Sequence, residues 1–183
     1  SVENHFLAQH GVEVGFLSTC ILAFTVFVIR QFLFGKTVSA RVQKQGSSPL
    51  LGATPMEFAQ WVLTPIGDLA AHLQLSPNLF SWLCLGLGAV AGLLAAQGKF
   101  ALAALVSIAS ALFDSLDGMV ARKRGIASDA GEVLYAAIDR YAEFFLIGGL
   151  VLYYHQNLGA MLLALSALLA SFMVSYSTAK AEA

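Results

Sequence analysis

The sequence predicts an all-α fold, a polytopic transmembrane helix bundle with one amphipathic helix at the membrane interface. Three observations support this prediction. The 183 residues are 58% hydrophobic and only 11% charged, whereas a soluble domain carries roughly 25% charged residues. Uncharged runs of spanning length alternate with short polar segments. One further segment places polar and apolar residues on different faces of a helix.

The same composition excludes several functional classes. So few charged residues argue against a soluble enzyme, a disordered chain or a nucleic-acid-binding protein. The net charge of −1 leaves no basic or acidic tail for a polyanionic partner. We therefore expect membrane lipids, and no nucleic acid, among the partners of this protein.

Residues 1–52 are predicted to form one membrane-spanning helix and a cytoplasmic linker. Residues 14–29 are uncharged, and this run reaches spanning length if Arg30 extends to the interface and residues 31–34 lengthen the helix. The linker that follows is polar and ends in a stretch rich in Gly, Ser and Pro, which is typical of loops.

Residues 53–183 are predicted to form a membrane domain that begins with an amphipathic helix over residues 55–72. We expect this helix to lie in the interface and to bend at Pro65, because Trp61 suits the headgroup layer. Ser76 then provides an N-cap for the first spanning helix of the domain.

Four spanning helices are predicted in this domain. The second of them reaches spanning length only if it continues through Asp114 and Asp117, and acids inside a spanning helix are costly and point to function. The predicted spans cover residues 77–97, 100–123, 130–154 and 158–179.

The basic residues predict the orientation of the five spans. One side of the membrane would receive eight of them, whereas the other side would receive only Lys99. Because basic loops stay in the cytoplasm, the N-terminus should lie outside and the acidic cluster should face the cytoplasm. The eight are Arg30, Lys36, Arg41, Lys44, Arg122, Lys123, Arg124 and Lys180.

The segment that contains the candidate catalytic and binding residues begins at Asp114. Residues 114, 117, 118 and 121 share one face of a helix, because residues three and four apart are neighbours. The two aspartates on this face are backed by Gly118 and Ala121, whose small size lets a bulky ligand approach the backbone. Arg122 lies at the rim, where it can contact a phosphate.

The next helix presents a second acidic face, which contains Glu132, Tyr135, Asp139 and Glu143. If the two helices pack antiparallel, the two faces meet in a pocket lined by oxygen atoms. Such a pocket suits a hard divalent cation and a metal-bound pyrophosphate.

The pattern D-x2-DG-x2-AR-x8-G-x3-D-x3-D resembles the signature of the CDP-alcohol phosphotransferases, integral membrane enzymes that make phospholipids. Seven positions match it: Asp114, Asp117, Gly118, Ala121, Arg122, Gly131 and Asp139. The resemblance implies transfer of a substituted phosphate group from a CDP-alcohol, such as CDP-diacylglycerol, to an acceptor hydroxyl with release of CMP. Which donor and which acceptor are used stays open.

The resemblance also implies roles for these residues. Asp114, Asp117 and Asp139 would hold Mg²⁺ or Mn²⁺, and Asp139 would in addition deprotonate the acceptor hydroxyl. The remaining matched positions would contact the cytidine diphosphate. They are Gly118, Ala121, Arg122 and Gly131.

The sequence departs from the family at one position of the signature, where Tyr135 replaces an aspartate. A neutral phenol is a poor magnesium ligand. Either Glu132 or Glu143 substitutes for the aspartate, or only one metal binds well, or activity is lost. The last case gives the alternative function, a diverged relative that binds nucleotide or lipid without turnover.

The second departure is the number of helices. Family members usually have six helices in the catalytic core, but only four spans follow the interfacial helix here. Either the domain is truncated at its C-terminus or another chain completes the pocket. The resemblance implies a homodimer, as in other members of the family. The pattern Gly88-x-x-x-Gly92, which allows close helix packing, also favours a homodimer.

Overall fold

The computed structural model describes residues 2–34 and 54–182, and within these ranges the regular structure is entirely α-helical. This confirms the predicted all-α class. The described helices are α1 (Val2–Phe34), α2 (Thr54–His72), α3 (Pro77–Ala96), α4 (Phe100–Lys123), α5 (Asp129–Tyr153) and α6 (Leu158–Glu182).

The chain divides into two compact units, Ser1–Leu69 and Ala70–Ala183. The predicted boundary between residues 52 and 53, and the predicted linker with its three basic residues, lie outside the described residues.

The first unit contains α1 and most of α2, and aromatic side chains join the two helices. Phe27 of α1 is buried and packs against Phe58 and Trp61 of α2, with ring centroids 5.4 and 5.7 Å away. The Gln31 side-chain amide donates a hydrogen bond to the buried Glu57 carboxylate at 3.0 Å. These contacts give α2 a buried face, as its predicted amphipathic pattern requires.

In the second unit, α3 packs against both α4 and α5, and α6 packs against α5. The contact between α3 and α5 is a backbone contact. A Cβ atom at Gly88 would lie 2.7 Å from that of Ala142, and a Cβ atom at Gly92 would overlap the carbonyl oxygen of Phe145. On α5, a Cβ atom at Gly149 would in turn overlap the carbonyl oxygen of Gly92.

The pattern Gly88-x-x-x-Gly92 is therefore a close-packing face, but its partner is α5 of the same chain. Both glycines are buried in this contact. Because the face is already occupied within the chain, the expectation of a homodimer depends on the family resemblance alone.

Short turns set the register of the helices. Gly98 and Gly125 adopt positive φ angles of 76° and 67° in the turns after α3 and α4, a conformation that glycine adopts at little cost. At the end of α4, the Arg124 guanidinium donates to the carbonyl of Leu75 at 2.8 Å. This bond ties the C-terminus of α4 to the turn that precedes α3.

Four of the five predicted spans are long and apolar enough to cross a membrane: Val14–Leu33, Pro77–Ala96, Phe100–Lys123 and Leu158–Ala181. The exception is α5, which has 25 residues but carries its charges in the N-terminal part of the helix. Those charged residues are Asp129, Glu132, Asp139, Arg140 and Glu143. That α5 crosses the bilayer therefore stays a prediction. A crossing would require polar partners for these charges.

The α3–α5 contact predicts that Gly92→Ala lowers the free energy of unfolding by about 2 kcal/mol, the usual range for overpacking a filled interface. The added methyl group would force the two backbones apart. Unfolding of the purified protein in detergent by a denaturant titration measures this change.

Gly86→Ala is the matched control on the same helix, because a Cβ atom at Gly86 meets no atom within 4 Å. This variant should be as stable as the original or up to about 1 kcal/mol more stable, since alanine favours the helix. Equal effects of the two substitutions would contradict a backbone contact at Gly92.

Candidate active site

The two aspartates of the signature lie on α4, one helical turn apart, as predicted. Asp114 is half-buried, and Asp117 is only 2% exposed. The Ser81 hydroxyl of α3 donates to Asp117 Oδ2 at 2.7 Å, and the Gly118 N–H donates to Asp117 Oδ1 at 2.5 Å. Both carboxylate oxygens of Asp117 are thus fixed, which offsets the cost of burying them.

A second polar contact fixes α4 against α3 two turns earlier. The Ser110 hydroxyl donates to the carbonyl of Cys84 at 2.8 Å and lies 3.4 Å from the Cys84 sulfur. Cys84 is buried within electrostatic range of Asp114, Asp117 and Asp139. It packs with Phe113 of α4 and Ile138 of α5, the neighbours of Asp114 and Asp139 in the sequence.

The other predicted residues of α4 differ in exposure. A Cβ atom at Gly118 would lie 3.0 Å from a guanidinium nitrogen of Arg122, so this side chain folds back over the glycine. Arg122 is exposed and interacts electrostatically with Asp117. Ala121 is buried, at 2% exposure. Its predicted contact with nucleotide therefore stays a prediction, whereas Gly118 and Arg122 lie at the accessible edge of the face.

Gly131 lies in the first turn of α5. Its N–H donates to the hydroxyl of Ser128, the N-cap residue, at 3.2 Å. A Cβ atom at Gly131 would approach the Tyr135 hydroxyl to 3.4 Å. Tyr135 in turn lies within electrostatic range of Asp117. The phenol therefore lies next to Gly131, near the start of α5.

Asp139 is the acid that α5 contributes, and its side chain is 41% exposed. It forms an ion pair with Arg140, which also binds Glu143 at 2.6 Å and the Ser171 hydroxyl of α6 at 2.9 Å. These contacts join Asp139, Glu143 and Ser171 to one guanidinium group.

The structure brings the predicted acids of α4 and α5 to one region. Asp117 interacts electrostatically with Asp139, and Arg140 interacts with both Asp139 and Asp114. Within the described part of the chain, however, no three His, Cys, Asp or Glu side chains are close enough to hold a metal ion together. The ion pair with Arg140 occupies Asp139, and Tyr135 supplies no carboxylate.

The sequence pattern does not predict two residues that position the acids and Arg140, Ser81 and Ser171. Both are hydroxyls in otherwise apolar spanning helices, and hydroxyls at such positions bond across helix interfaces. This signal identifies them as polar contacts, but helical periodicity does not reveal which acid or base each one meets.

A model of the family described as CDP-alcohol phosphatidyltransferase matches residues 74–182, more than half of the chain. The chain belongs to the CDP-alcohol phosphatidyltransferase family. The matched range contains the whole acidic site, from Ser81 to Ser171. Together with the four long apolar helices, family membership makes this chain an integral membrane protein.

Several curated relatives are similar to this CDP-alcohol phosphatidyltransferase chain. A phosphatidylinositol phosphate synthase of Corynebacterium glutamicum is 34% identical over 139 residues, which are 73% of this chain and 64% of the synthase. A bifunctional IPC transferase and DIPP synthase of Rubrobacter xylanophilus is 42% identical over 110 residues, 60% of this chain and 25% of that protein. An uncharacterized protein of Aquifex aeolicus is 30% identical over 127 residues, 68% of this chain and 65% of the relative. The chain thus spans less than two thirds of the length of each of these relatives.

The buried bond between Ser81 and Asp117 predicts that Ser81→Ala lowers the free energy of unfolding by about 1–3 kcal/mol, because it leaves a buried carboxylate oxygen without its donor. Denaturant unfolding in detergent measures the loss.

Ser107→Ala on α4 is the control for this prediction. The Ser107 hydroxyl is buried and has no hydrogen-bond partner among the described residues, so its removal should be neutral or stabilising. If Ser81→Ala is as harmless as Ser107→Ala, the bond to Asp117 does not hold the two helices together.

Proposed function

We propose that this protein transfers a substituted phosphate group from a CDP-alcohol to an acceptor hydroxyl, with release of CMP, in phospholipid synthesis. One observation carries the proposal. Asp114 and Asp117 share a face of α4 that Ser81 fixes, and Asp139 of α5 lies within electrostatic range of Asp117. Membership of the CDP-alcohol phosphatidyltransferase family supports this function for such a site.

We also propose a requirement for Mg²⁺ or Mn²⁺. Carboxylates are the oxygen donors that these hard ions take, and magnesium is commonly bound by one or two carboxylates together with water and substrate phosphates. Asp114 and Asp117 fit that need, and Asp139 can join them when it leaves Arg140. When bound, such an ion supplies positive charge to the diphosphate and to the leaving oxygen.

The residues at the accessible edge of α4 would hold the donor. The Arg122 guanidinium lies over Gly118, where it can donate to the phosphates of the cytidine diphosphate. Gly118 and Gly131 leave room for the diphosphate to approach the backbone, and Ala121 supports that surface from the bundle interior.

Asp139 would act on the acceptor. Its carboxylate takes the proton from the acceptor hydroxyl while the hydroxyl oxygen forms a bond to the phosphorus that carries the alcohol moiety. The bond from that phosphorus to CMP breaks, and CMP leaves with the electron pair. Arg140 holds the carboxylate in a fixed orientation on α5 until the acceptor arrives.

We propose that this site lies at the cytoplasmic face. Three consecutive basic residues, Arg122, Lys123 and Arg124, end α4 next to the acids, and basic residues of this kind remain in the cytoplasm.

Phosphatidylinositol phosphate synthases recur among the relatives. We therefore propose a lipid-linked donor, CDP-diacylglycerol, and an inositol-type acceptor as the first pair to test.

The proposal predicts CMP release from CDP-diacylglycerol that depends on an added acceptor and is abolished by chelation of divalent cations. Asp139→Asn should lower the rate at least about 100-fold, the contribution typical of a lost general base. Chromatographic measurement of CMP over a panel of donors and acceptors provides the test.

Asp129→Asn is the matched control, because Asp129 is an exposed acid in the first turn of the same helix. It should retain the original rate. CMP release that survives in Asp139→Asn, or that needs no divalent cation, would refute the assigned chemistry.

Tyr135 favours one alternative, a relative that binds nucleotide or lipid without turnover. Under this alternative, CDP binds in the presence of Mg²⁺ and no CMP appears with any acceptor. Tyr135→Asp would then supply the missing carboxylate and produce CMP release, whereas the uncharged Tyr135→Asn would not.

A further inference from the structure

A cavity of about 770 Å³ lies between α1 and α2, inside the first unit. Its volume is within the range of about 300–1,000 Å³ that is usual for small-molecule sites. The cavity lies outside residues 74–182, the range that matches the family model, and no role assigned so far uses its lining. Charged, aromatic and apolar side chains from both helices meet in it, among them Ala23, Phe27, Arg30, Glu57, Trp61 and Asp68.

The wall that α1 contributes changes from apolar to charged along the helix. Ala23, Phe27 and Arg30 are four and three residues apart, so they share one face. Arg30 is exposed and lies within one turn of the end of the candidate span Val14–Leu33. A guanidinium at that position reaches the headgroup layer, and the apolar residues lie deeper. This wall suits a lipid whose phosphate binds Arg30 and whose acyl chain follows Phe27 and Ala23.

The wall that α2 contributes suits a cation. Glu57 and Trp61 are one turn apart on the lining face. Glu57 is buried at 7% exposure, and the Gln31 amide that donates to it carries no positive charge. Trp61 packs against Phe27 with ring centroids 5.7 Å apart. Aromatic faces attract cations as carboxylates do, so an ammonium group finds two kinds of partner here.

A proline adds a backbone acceptor to the same wall. Pro65 lies inside α2 and lines the cavity. Proline has no N–H, so the carbonyl of Trp61, four residues earlier, receives no hydrogen bond from residue 65. Because both residues line the cavity, an N–H group of a ligand can take the place of the missing donor.

The charges of the lining select among lipid headgroups. One base and two acids line the cavity, Arg30 against Glu57 and Asp68. A headgroup whose only charge is its phosphate binds the base but brings negative charge toward the acids. A headgroup that joins a phosphate to a primary ammonium group serves both walls, and its three N–H donors suit a carboxylate and a carbonyl oxygen.

We propose that the cavity between α1 and α2 binds a zwitterionic phospholipid with a primary ammonium headgroup. Its phosphate binds Arg30, and its ammonium group binds Glu57 and the Trp61 carbonyl against the indole ring. This inference does not depend on the proposed transfer reaction, since it concerns a different part of the chain.

Tryptophan fluorescence provides the test, because Trp61 lies in the cavity and the second tryptophan, Trp82, can be replaced by phenylalanine. Lipids brominated on the acyl chain, which quench tryptophan, are titrated into the full chain in uncharged detergent. Phosphatidylethanolamine should bind about 3- to 10-fold more tightly than phosphatidylcholine or phosphatidylglycerol, the gain expected for one hydrogen bond. Phosphatidylcholine has no N–H on its headgroup, and phosphatidylglycerol has no ammonium group.

Two variants in the Trp82→Phe background separate the two walls. Glu57→Gln should remove the preference for phosphatidylethanolamine, whereas Arg30→Gln should weaken all three lipids by a similar factor, because each carries a phosphate. Thr25→Val is the matched control on α1, since Thr25 is exposed and lies outside the lining. It should change no affinity. If the buried Glu57 cannot be replaced without loss of folding, the exposed Arg30 still decides.

Equal binding of the three lipids by the original protein would overturn the proposal, and so would unchanged affinities in Arg30→Gln. Soluble glycerophosphoethanolamine carries the same headgroup without acyl chains. It should not relieve the quenching at concentrations equal to those of the lipid. Relief at such concentrations would mean that the cavity takes a soluble phosphoamine and would overturn its assignment to a phospholipid.

Discussion

The backbone contact between α3 and α5 is the constraint on which the rest of the second unit depends. Gly92 and Gly149 leave no room for a side chain at this crossing. The same helix holds α4 through the bonds from Ser81 to Asp117 and from Ser110 to Cys84. Because one helix contacts both neighbours so closely, the acids of α4 and α5 come within range of each other.

Acids in an apolar helix bundle must find partners, and each acid here finds a different kind. Asp117 is buried and accepts hydrogen bonds from two uncharged donors, Ser81 and a backbone N–H. Asp139 is more exposed and pairs with Arg140. A fixed carboxylate suits the binding of a cation, and a carboxylate with an exchangeable partner suits proton transfer.

Much of this arrangement could be predicted from the sequence. Hydropathy and charge locate the helices, and a period of 3.6 residues places Asp114 and Asp117 on one face. Periodicity assigns a face but not the neighbour that this face meets. For that reason Gly88 and Gly92 were expected to favour a second copy but pack on α5, and the bonds of Ser81 and Ser171 were missed. The charges on α5 depend on tertiary partners in the same way.

The central claim is that acids from two helices act as one nucleotide site, and a double-mutant cycle of CDP binding in Mg²⁺ tests it most directly. The affinity is measured for the original protein, Asp117→Asn, Asp139→Asn and the double variant. One shared site predicts that the double variant loses less than the sum of the single losses, with a coupling of at least about 1 kcal/mol. Losses that add to within about 0.5 kcal/mol would mean that the two acids act independently and would contradict the claim.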